Sequence, residues 1–304
     1  MTWYEKLDKV IGDYLPDLPM ERDVPMDRFT SFRIGGPARR LACPKNREQL
    51  VILMALAREC GARPFIMGNG TNLLIPDRGL DRLVIRTAGE MSDVRLTDET
   101  VIEADAGISL SRLALFAQSQ ALTGLEFAHG IPGSLGGAVF MNAGAYGGEM
   151  KQVVQEVVVL TEDGIRHIPG AECAFGYRKS AFSDGKTVIL GAKLHLKKGD
   201  PAQIRDKMAE LMAKRKASQP LEYPSAGSTF KRPEGYYAGT LIQETGLKGL
   251  TVGGAQVSEK HAGFVINTGG ATCADVMALI GQVQDRVMQR SGVYLEPEVR
   301  IIEN

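Results

Sequence analysis

The sequence predicts an α+β fold, and three observations carry that prediction. Stretches with apolar residues at helical spacing and stretches of strand character are mixed along the 304 residues, without the regular βαβα alternation of a doubly wound sheet. Residues 153–160 and 165–168 read as two strands joined by Thr161-Glu162-Asp163-Gly164, which is the signature of an antiparallel hairpin. At Asp200-Pro201 the pattern changes to a long polar helix, which marks a domain boundary near residue 200.

Residues 1–15, MTWYEKLDKVIGDYL, read as a short amphipathic helix. They carry acids and lack the basic stretch and apolar core of a signal peptide. Residues 46–60 read as a helix with Gly61 as its stop. Residues 63–66 read as a strand leading into GNGTNLLI at 68–75, and 83–86 and 101–104 as strands bounded by turn residues. A second helix is expected over 108–121, a short one opens at Ser134 and runs to about 141, and 188–196 is a further strand. Asp200 suits an N-cap and Pro201 the first helical position, so that helix should run to about residue 216 and end before Pro220. The last hundred residues hold helix patterns at 236–245 and 272–290, strands around 250–267, and a final strand at 294–302 broken by Pro297.

Composition removes several functions. The 36 Lys+Arg balance the 36 Asp+Glu, against the basic excess of a general nucleic-acid binder, although a local basic site for a small anion stays open. No apolar run approaches 18 residues, so no membrane span is expected. Cys43, Cys60, Cys173 and Cys273 are scattered without a CxxC pair. That argues against a zinc site or a disulfide scaffold and points to the reduced thiols of a cytoplasmic protein; no metal is expected.

Glycine is the excess. There are 35, about 12% of the chain against a usual ~7%. Eight fall in 124–148, seven in 227–254, and Gly68 and Gly70 flank Asn69. Such loops let backbone N–H groups approach a phosphate, and they are equally what tight turns require. Neither GNGTNLL nor GIPGSLGGAVFMNAGAYGG is a Walker A loop or a Rossmann fingerprint. Two such loops in one half of the chain favour a ligand containing pyrophosphate.

Six motifs then come in order: TSFRIGGPA at 30–38, GNGTNLLI at 68–75, GIPGSLGGAVFMNAGAYGGE at 130–149, YRKSAF at 177–182, AGSTFKRP at 226–233 and LEPEVRII at 295–302. Together they closely resemble the UDP-N-acetylenolpyruvoylglucosamine reductases, over about residue 20 to the end. The resemblance implies an FAD-binding domain of the vanillyl-alcohol-oxidase/p-cresol-methylhydroxylase type in two subdomains, over 1–85 and 86–199. It also implies an α+β C-terminal substrate domain over 200–304. The implied reaction is NADPH-dependent reduction, through noncovalent FAD, of UDP-N-acetylglucosamine enolpyruvate to UDP-N-acetylmuramate in peptidoglycan precursor synthesis. The implied setting is the cytoplasm, with a monomeric or weakly associating chain that binds neither nucleic acid nor membrane. Arg178 and Ser228 lie only fifty residues apart, so the chain resembles the shorter type, which lacks a tyrosine-bearing loop over the substrate.

The same resemblance assigns roles. Ser228 matches the proton donor, Arg178 the active-site arginine and Glu298 the catalytic glutamate. In an extended 295–302, Glu296 and Glu298 point the same way and the residues alone leave both open; the motif selects Glu298. FAD contacts are expected from Gly68, Asn69, Gly70, Thr71, Asn72 and Leu73, from Gly130, Ile131, Pro132, Gly133 and Ser134, and from Gly136, Gly137, Asn142, Gly144 and Ala145. Substrate contacts are expected from Tyr177, Lys231, His261 and Asn267. His129 precedes the second loop, but no covalent flavin link is expected; His167 and His195 read as structural or surface residues. The competing functions are another flavin oxidase or dehydrogenase of the same superfamily, and a nonenzymatic nucleotide-binding regulator. An oxidase has no reason to carry Arg178, Ser228 and Glu298 together, and a regulator would bind ligand without turnover.

Overall fold

The computed structural model describes residues 1–303. Helices and strands are mixed as the α+β prediction requires. The chain forms two compact units: the first is Met1–Glu21, Arg40–Asn69 and Leu83–Arg215, the second Arg22–Arg39, Gly70–Arg82 and Lys216–Asn304. Their breaks fall at 21/22, 39/40, 69/70, 82/83 and 215/216, where the sequence reading places its divisions at 85/86 and 199/200.

In the first unit the helices are α1 (Trp3–Tyr14), α2 (Arg47–Cys60), α3 (Leu110–Ser119), α4 (Leu135–Phe140) and, as far as Arg215, α5 (Pro201–Ser218). Thr2 caps α1 in a reciprocal box with Glu5, Asn46 caps α2 and Ser109 caps α3, each cap worth about 1 kcal/mol. Gly61 ends α2 at φ 73°, as expected of a left-handed cap. A five-stranded antiparallel sheet runs in the order Gly164–Pro169, Val154–Thr161, Val188–His195, Val101–Asp105, Val94–Asp98. Pro64–Met67 pairs in parallel with residues 83–86. One core gathers around Ile102, Leu113, Leu135, Val157 and Leu194, and another around Leu7, Leu50, Leu53, Ile85 and Leu190.

In the second unit, Ser225–Ser228, Phe264–Asn267, Ala255–Val257 and Thr251–Val252 form an antiparallel sheet in that order. It packs with α6 (Ala238–Glu244) and α7 (Cys273–Ser291) over Leu241, Ile242, Val265, Val276, Leu279 and Val283. Thr272 and Asp275 close a capping box at the start of α7, and Asp77 accepts from Cys273 N–H (2.7 Å) and Ala274 N–H (3.1 Å) there.

Three expectations are corrected. The hairpin turn is Glu162-Asp163, because Thr161 already pairs with Gly164. The final strand is only Arg300–Ile301, and it pairs in parallel with Leu73–Leu74; Pro297, which lacks an N–H, reaches only an isolated bridge to Phe230. Helix 236–245 begins later, at Ala238, after an extended Tyr237.

Candidate active site

The first unit assembles one end of the glycine loops. Asn69 Nδ2 donates to the Pro132 carbonyl at 3.0 Å, tying the first loop to GIPGS. Leu110 N–H donates to Gly133 O (3.0 Å), Leu135 N–H to Ile108 O (2.9 Å) and Gly136 N–H to Ala106 O (2.8 Å), which fixes the second loop against the residues around α3. Gly136 must be glycine, since a Cβ there would sit 2.9 Å from that of Ala106. A Cβ at Gly68 would collide with Ser134 Oγ. That hydroxyl is the informative atom. Ser134 is 2% exposed and stands at the start of α4 without capping it, and its Oγ is buried with no hydrogen-bond partner. Buried polar atoms are almost always satisfied, so an orphan beside a glycine with no room for a side chain marks a place built for a polar group from outside the chain.

Arg178 is the third residue of a tight turn in the same unit. Gly176 and Lys179 exchange backbone hydrogen bonds (3.0 and 3.3 Å), and Arg178 has φ 55°. A non-glycine residue there costs about 1 kcal/mol, so other contacts must hold it. Two are on either side. Ser180 Oγ donates to Phe140 O at 2.6 Å. Asn142, 1% exposed, donates through Nδ2 to Gly176 O (3.1 Å) and to Glu149 Oε2 (2.7 Å), and accepts Lys151 N–H on Oδ1 (2.9 Å). The Asn142 carboxamide thus has protein partners on both its nitrogen and its oxygen, one of them in the arginine turn. Gly144 and Ala145 pair with Glu149 and Gly148 in a short ribbon, where a Cβ on Gly144 would meet Gly148 O at 2.6 Å. Tyr177 is exposed, and the Arg178 guanidinium carbon lies 5.2 Å from its ring centre.

The second unit brings Gly70, Thr71, Asn72 and Leu73 together with the segments that carry Ser228 and Glu298. Ser225 pairs with Ile266 and Ser228 with Phe264, so three steps on one strand face two on the other. The extra residue is a bulge that includes Gly227 at φ 77°; it re-aims the chain and leaves Ser228 exposed at the strand end. Thr229, 3% exposed, then locks the turn: its N–H donates to Gly263 O (2.8 Å), its Oγ1 accepts Val265 N–H (2.9 Å), and its carbonyl accepts Glu298 N–H (2.8 Å). Asn72 Nδ2 donates to the Glu298 carbonyl at 3.1 Å, and Asn72 O accepts Arg300 N–H at 3.0 Å. Ser31, in the TSFRIGG motif, donates from N to Gly70 O (3.1 Å) and from Oγ to Ser225 O (2.7 Å). The glycine loop, the serine strand and the glutamate segment are therefore one hydrogen-bonded frame.

The remaining expected residues divide. Lys231 Nζ forms an ion pair with Glu296, and its N–H donates to Glu296 O at 2.8 Å. Glu296 is thereby occupied by a lysine, while Glu298 lies next to the serine turn. His261 accepts Gly263 N–H on Nδ1 at 3.1 Å, and burial pulls its pKa below that of an ordinary histidine. With Nδ1 accepting, the neutral ring carries its proton on Nε2. Asn267, buried, donates to Phe32 O (3.1 Å) and accepts from Gly269 N–H (2.9 Å) and Ala271 N–H (3.2 Å), so its amide too is committed to the backbone. Among the described residues no group of three or more His, Cys, Asp and Glu is placed to hold a metal. Burial pushes the Cys173 and Cys273 thiols up to about 11, which leaves neither a nucleophile near neutral pH. Among the described residues no helix is long and apolar enough to cross a membrane.

The chain is similar to known proteins along most of its length. Residues 219–302 match the family profile of the UDP-N-acetylenolpyruvoylglucosamine reductase C-terminal domain, and residues 38–168 match that of an FAD binding domain. The chain is 50% identical over 281 residues to the UDP-N-acetylenolpyruvoylglucosamine reductase of Caldanaerobacter subterraneus subsp. tengcongensis, covering 91% of this chain and 92% of that one. It is 46% identical over 303 residues to that of Clostridium perfringens, covering 99% of each. The crystal structure of the Thermus caldophilus reductase superposes with a TM-score of 0.82 at 37% identity, over 94% of this chain and all of that one.

Proposed function

The chain belongs to the UDP-N-acetylenolpyruvoylglucosamine reductase family, an FAD-containing oxidoreductase that reduces the enolpyruvyl UDP-sugar with NADPH to make a peptidoglycan precursor, and from that premise we propose which of its residues do the work. The observation that carries the proposal is the frame in which Asn72 and Thr229 hold Glu298 beside Ser228.

FAD, when bound, would supply the hydride chemistry that links NADPH to the methylene carbon of the substrate. The residues of the first unit fit its pyrophosphate: Ser134 Oγ is an orphaned buried hydroxyl, Gly68 leaves room for no side chain beside it, and the Asn69–Pro132 bond holds the two loops together. Gly130, Ile131, Pro132, Gly133, Gly136 and Gly137 belong to the same loop and helix start and join Ser134 in the proposed cradle, with Gly70, Thr71, Asn72 and Leu73 continuing the first loop. Asn142 is set aside as a cofactor contact.

Addition of hydride to the methylene carbon leaves its neighbour electron-rich and conjugated with the substrate carboxylate. Arg178 offers a planar fork of fixed donors for that carboxylate as its charge grows. Ser228 Oγ–H supplies the proton to the electron-rich carbon. An alcohol is a weak acid, but a carbanion-like centre is strongly basic, so the transfer requires position more than acidity. Glu298, whose backbone is held to Thr229 and Asn72, is the proposed partner of the serine or of the developing enolate. Lys231, Tyr177 and His261, through its Nε2–H, are proposed substrate contacts; Asn267 is reassigned to holding the Phe32 and Ala271 backbone. The four cysteines are all free thiols, and with a nucleotide-linked substrate they support a cytoplasmic setting. Purified protein should be yellow and release free FAD on acid precipitation. It should oxidise NADPH only when UDP-N-acetylglucosamine enolpyruvate is added. A protein that takes up FAD but turns over a simple alcohol or sugar instead would favour the oxidase reading.

A further inference from the structure

The last residue of the first unit is an arginine that no sequence motif singles out. Arg215 ends the penultimate turn of α5 (Pro201–Ser218), in the run Lys214-Arg215-Lys216, and reads in sequence as one more solvated charge on a polar helix. Lys214 and Lys207 meet that expectation, both pairing with Glu210. Arg215 does not. It turns inward onto the GIPGS loop: its Cδ lies 3.2 Å from where a Cβ on Gly130 would be, with Met212 Cε 3.6 Å from the same point, and the Tyr146 hydroxyl acts on its charge. It is half-buried, and no hydrogen bond or ion pair holds its guanidinium among the described residues. Burial disfavours its charge, with no carboxylate nearby to restore it. A desolvated, unpaired guanidinium is an uncompensated cost unless an anion arrives from outside the chain.

We propose that Arg215 is the cationic phosphate-binding residue of the glycine loop at 130–134, completing in charge what Ser134 Oγ and the loop supply in hydrogen bonds. This rests on the function proposed above, in which that loop receives a phosphate-bearing ligand. The shared chemistry is a phosphate oxyanion, presented by the FAD pyrophosphate, by the diphosphate of the UDP-sugar or by the 2′-phosphate of NADPH. A guanidinium suits any of them, because its donors bind two oxygens at once. Gly130 has a matching reason to be glycine: a side chain there would press on the Arg215 stem.

Two variants separate charge from packing. Arg215→Met keeps the apolar stem against Gly130 and Met212 and removes the charge; Arg215→Lys keeps the charge and loses the fork. Three ligands are titrated into each: FAD into apoprotein by flavin fluorescence, UDP into holoenzyme by calorimetry, and NADPH against NADH by the rate of flavin reduction. The expected result is that Arg215→Met weakens one of these by roughly 10- to 100-fold, the loss of a charge-assisted contact to phosphate, while Arg215→Lys recovers part of it. The affected ligand identifies the source: FAD, UDP, or NADPH with NADH unchanged. If the wild-type protein binds all three and Arg215→Met matches it within about twofold for each, the arginine serves packing only and the proposal is overturned. A wild-type protein that binds none would instead remove the reading beneath it.

Discussion

The N–H of Glu298 donates to the carbonyl of Thr229 at 2.8 Å, which fastens the proposed acid segment one residue along from Ser228. The same threonine accepts Val265 N–H on its buried Oγ1, so it joins the bulged strand, the sheet behind it and the glutamate. Thr229→Val keeps the shape and removes the acceptor. The buried Val265 N–H is then unsatisfied, and stability should fall by about 1–3 kcal/mol. Urea denaturation of the holoenzyme measures it; an unchanged midpoint would show that the Val265 N–H is satisfied in some other way.

Asn142 holds the Arg178 turn through Gly176 O while it also binds Glu149 and Lys151. Asn142→Ala should slow the reaction of the reduced enzyme with substrate by roughly tenfold or more, as a misplaced positioning contact does. FAD should stay bound and its reduction by NADPH should change much less. Rapid-reaction absorbance separates the two half-reactions. Loss of FAD as the main effect would return Asn142 to the cofactor site.

His261 ties stability to pH. Its folded pKa is depressed by burial, and protonation would turn Nδ1 from the acceptor of Gly263 N–H into a second donor facing it. The unfolded chain therefore binds this proton more tightly than the folded one. The ring's contribution is complete above about pH 6.5, the unperturbed value, and is lost as pH falls below it toward the depressed folded pKa. The wild-type denaturation midpoint should drop as the pH falls below about 6.5, and His261→Gln should flatten that part of the profile. Parallel profiles for the two proteins would mean that other groups carry the acid sensitivity.

Much of the fold and site is legible in the residues. Helices with caps announce themselves, as at Asn46 with Gly61 and at Thr272 with Asp275, because local hydrogen bonding decides them. The loops at 68–73 and 130–137 are marked by glycine, and the serine, arginine and glutamate by family motifs. What stays hidden depends on long-range partners. Leu73–Leu74 finds Arg300–Ile301 more than two hundred residues away, and Asn72 finds Glu298, by pairings that no local pattern encodes. Asn142 and Asn267 have the polarity of binding residues, and only the three-dimensional structure reveals the protein partners of their amides, Gly176 O and Glu149 for Asn142 and Phe32 O for Asn267. Arg215 is disguised for the opposite reason, since a helix rich in lysine and arginine gives no sign of which cation turns inward.

The most direct test of the account is a single turnover of Ser228→Ala. The variant is reduced with NADPH under anaerobic conditions, mixed with UDP-N-acetylglucosamine enolpyruvate, and monitored by return of the flavin absorbance. Reduction by NADPH should proceed at close to the wild-type rate, while reoxidation by substrate should slow by about 10²–10⁴-fold, the usual contribution of a positioned proton donor. Equal slowing of both half-reactions, or reoxidation at the wild-type rate, would contradict the assignment of Ser228 as the group that protonates the substrate.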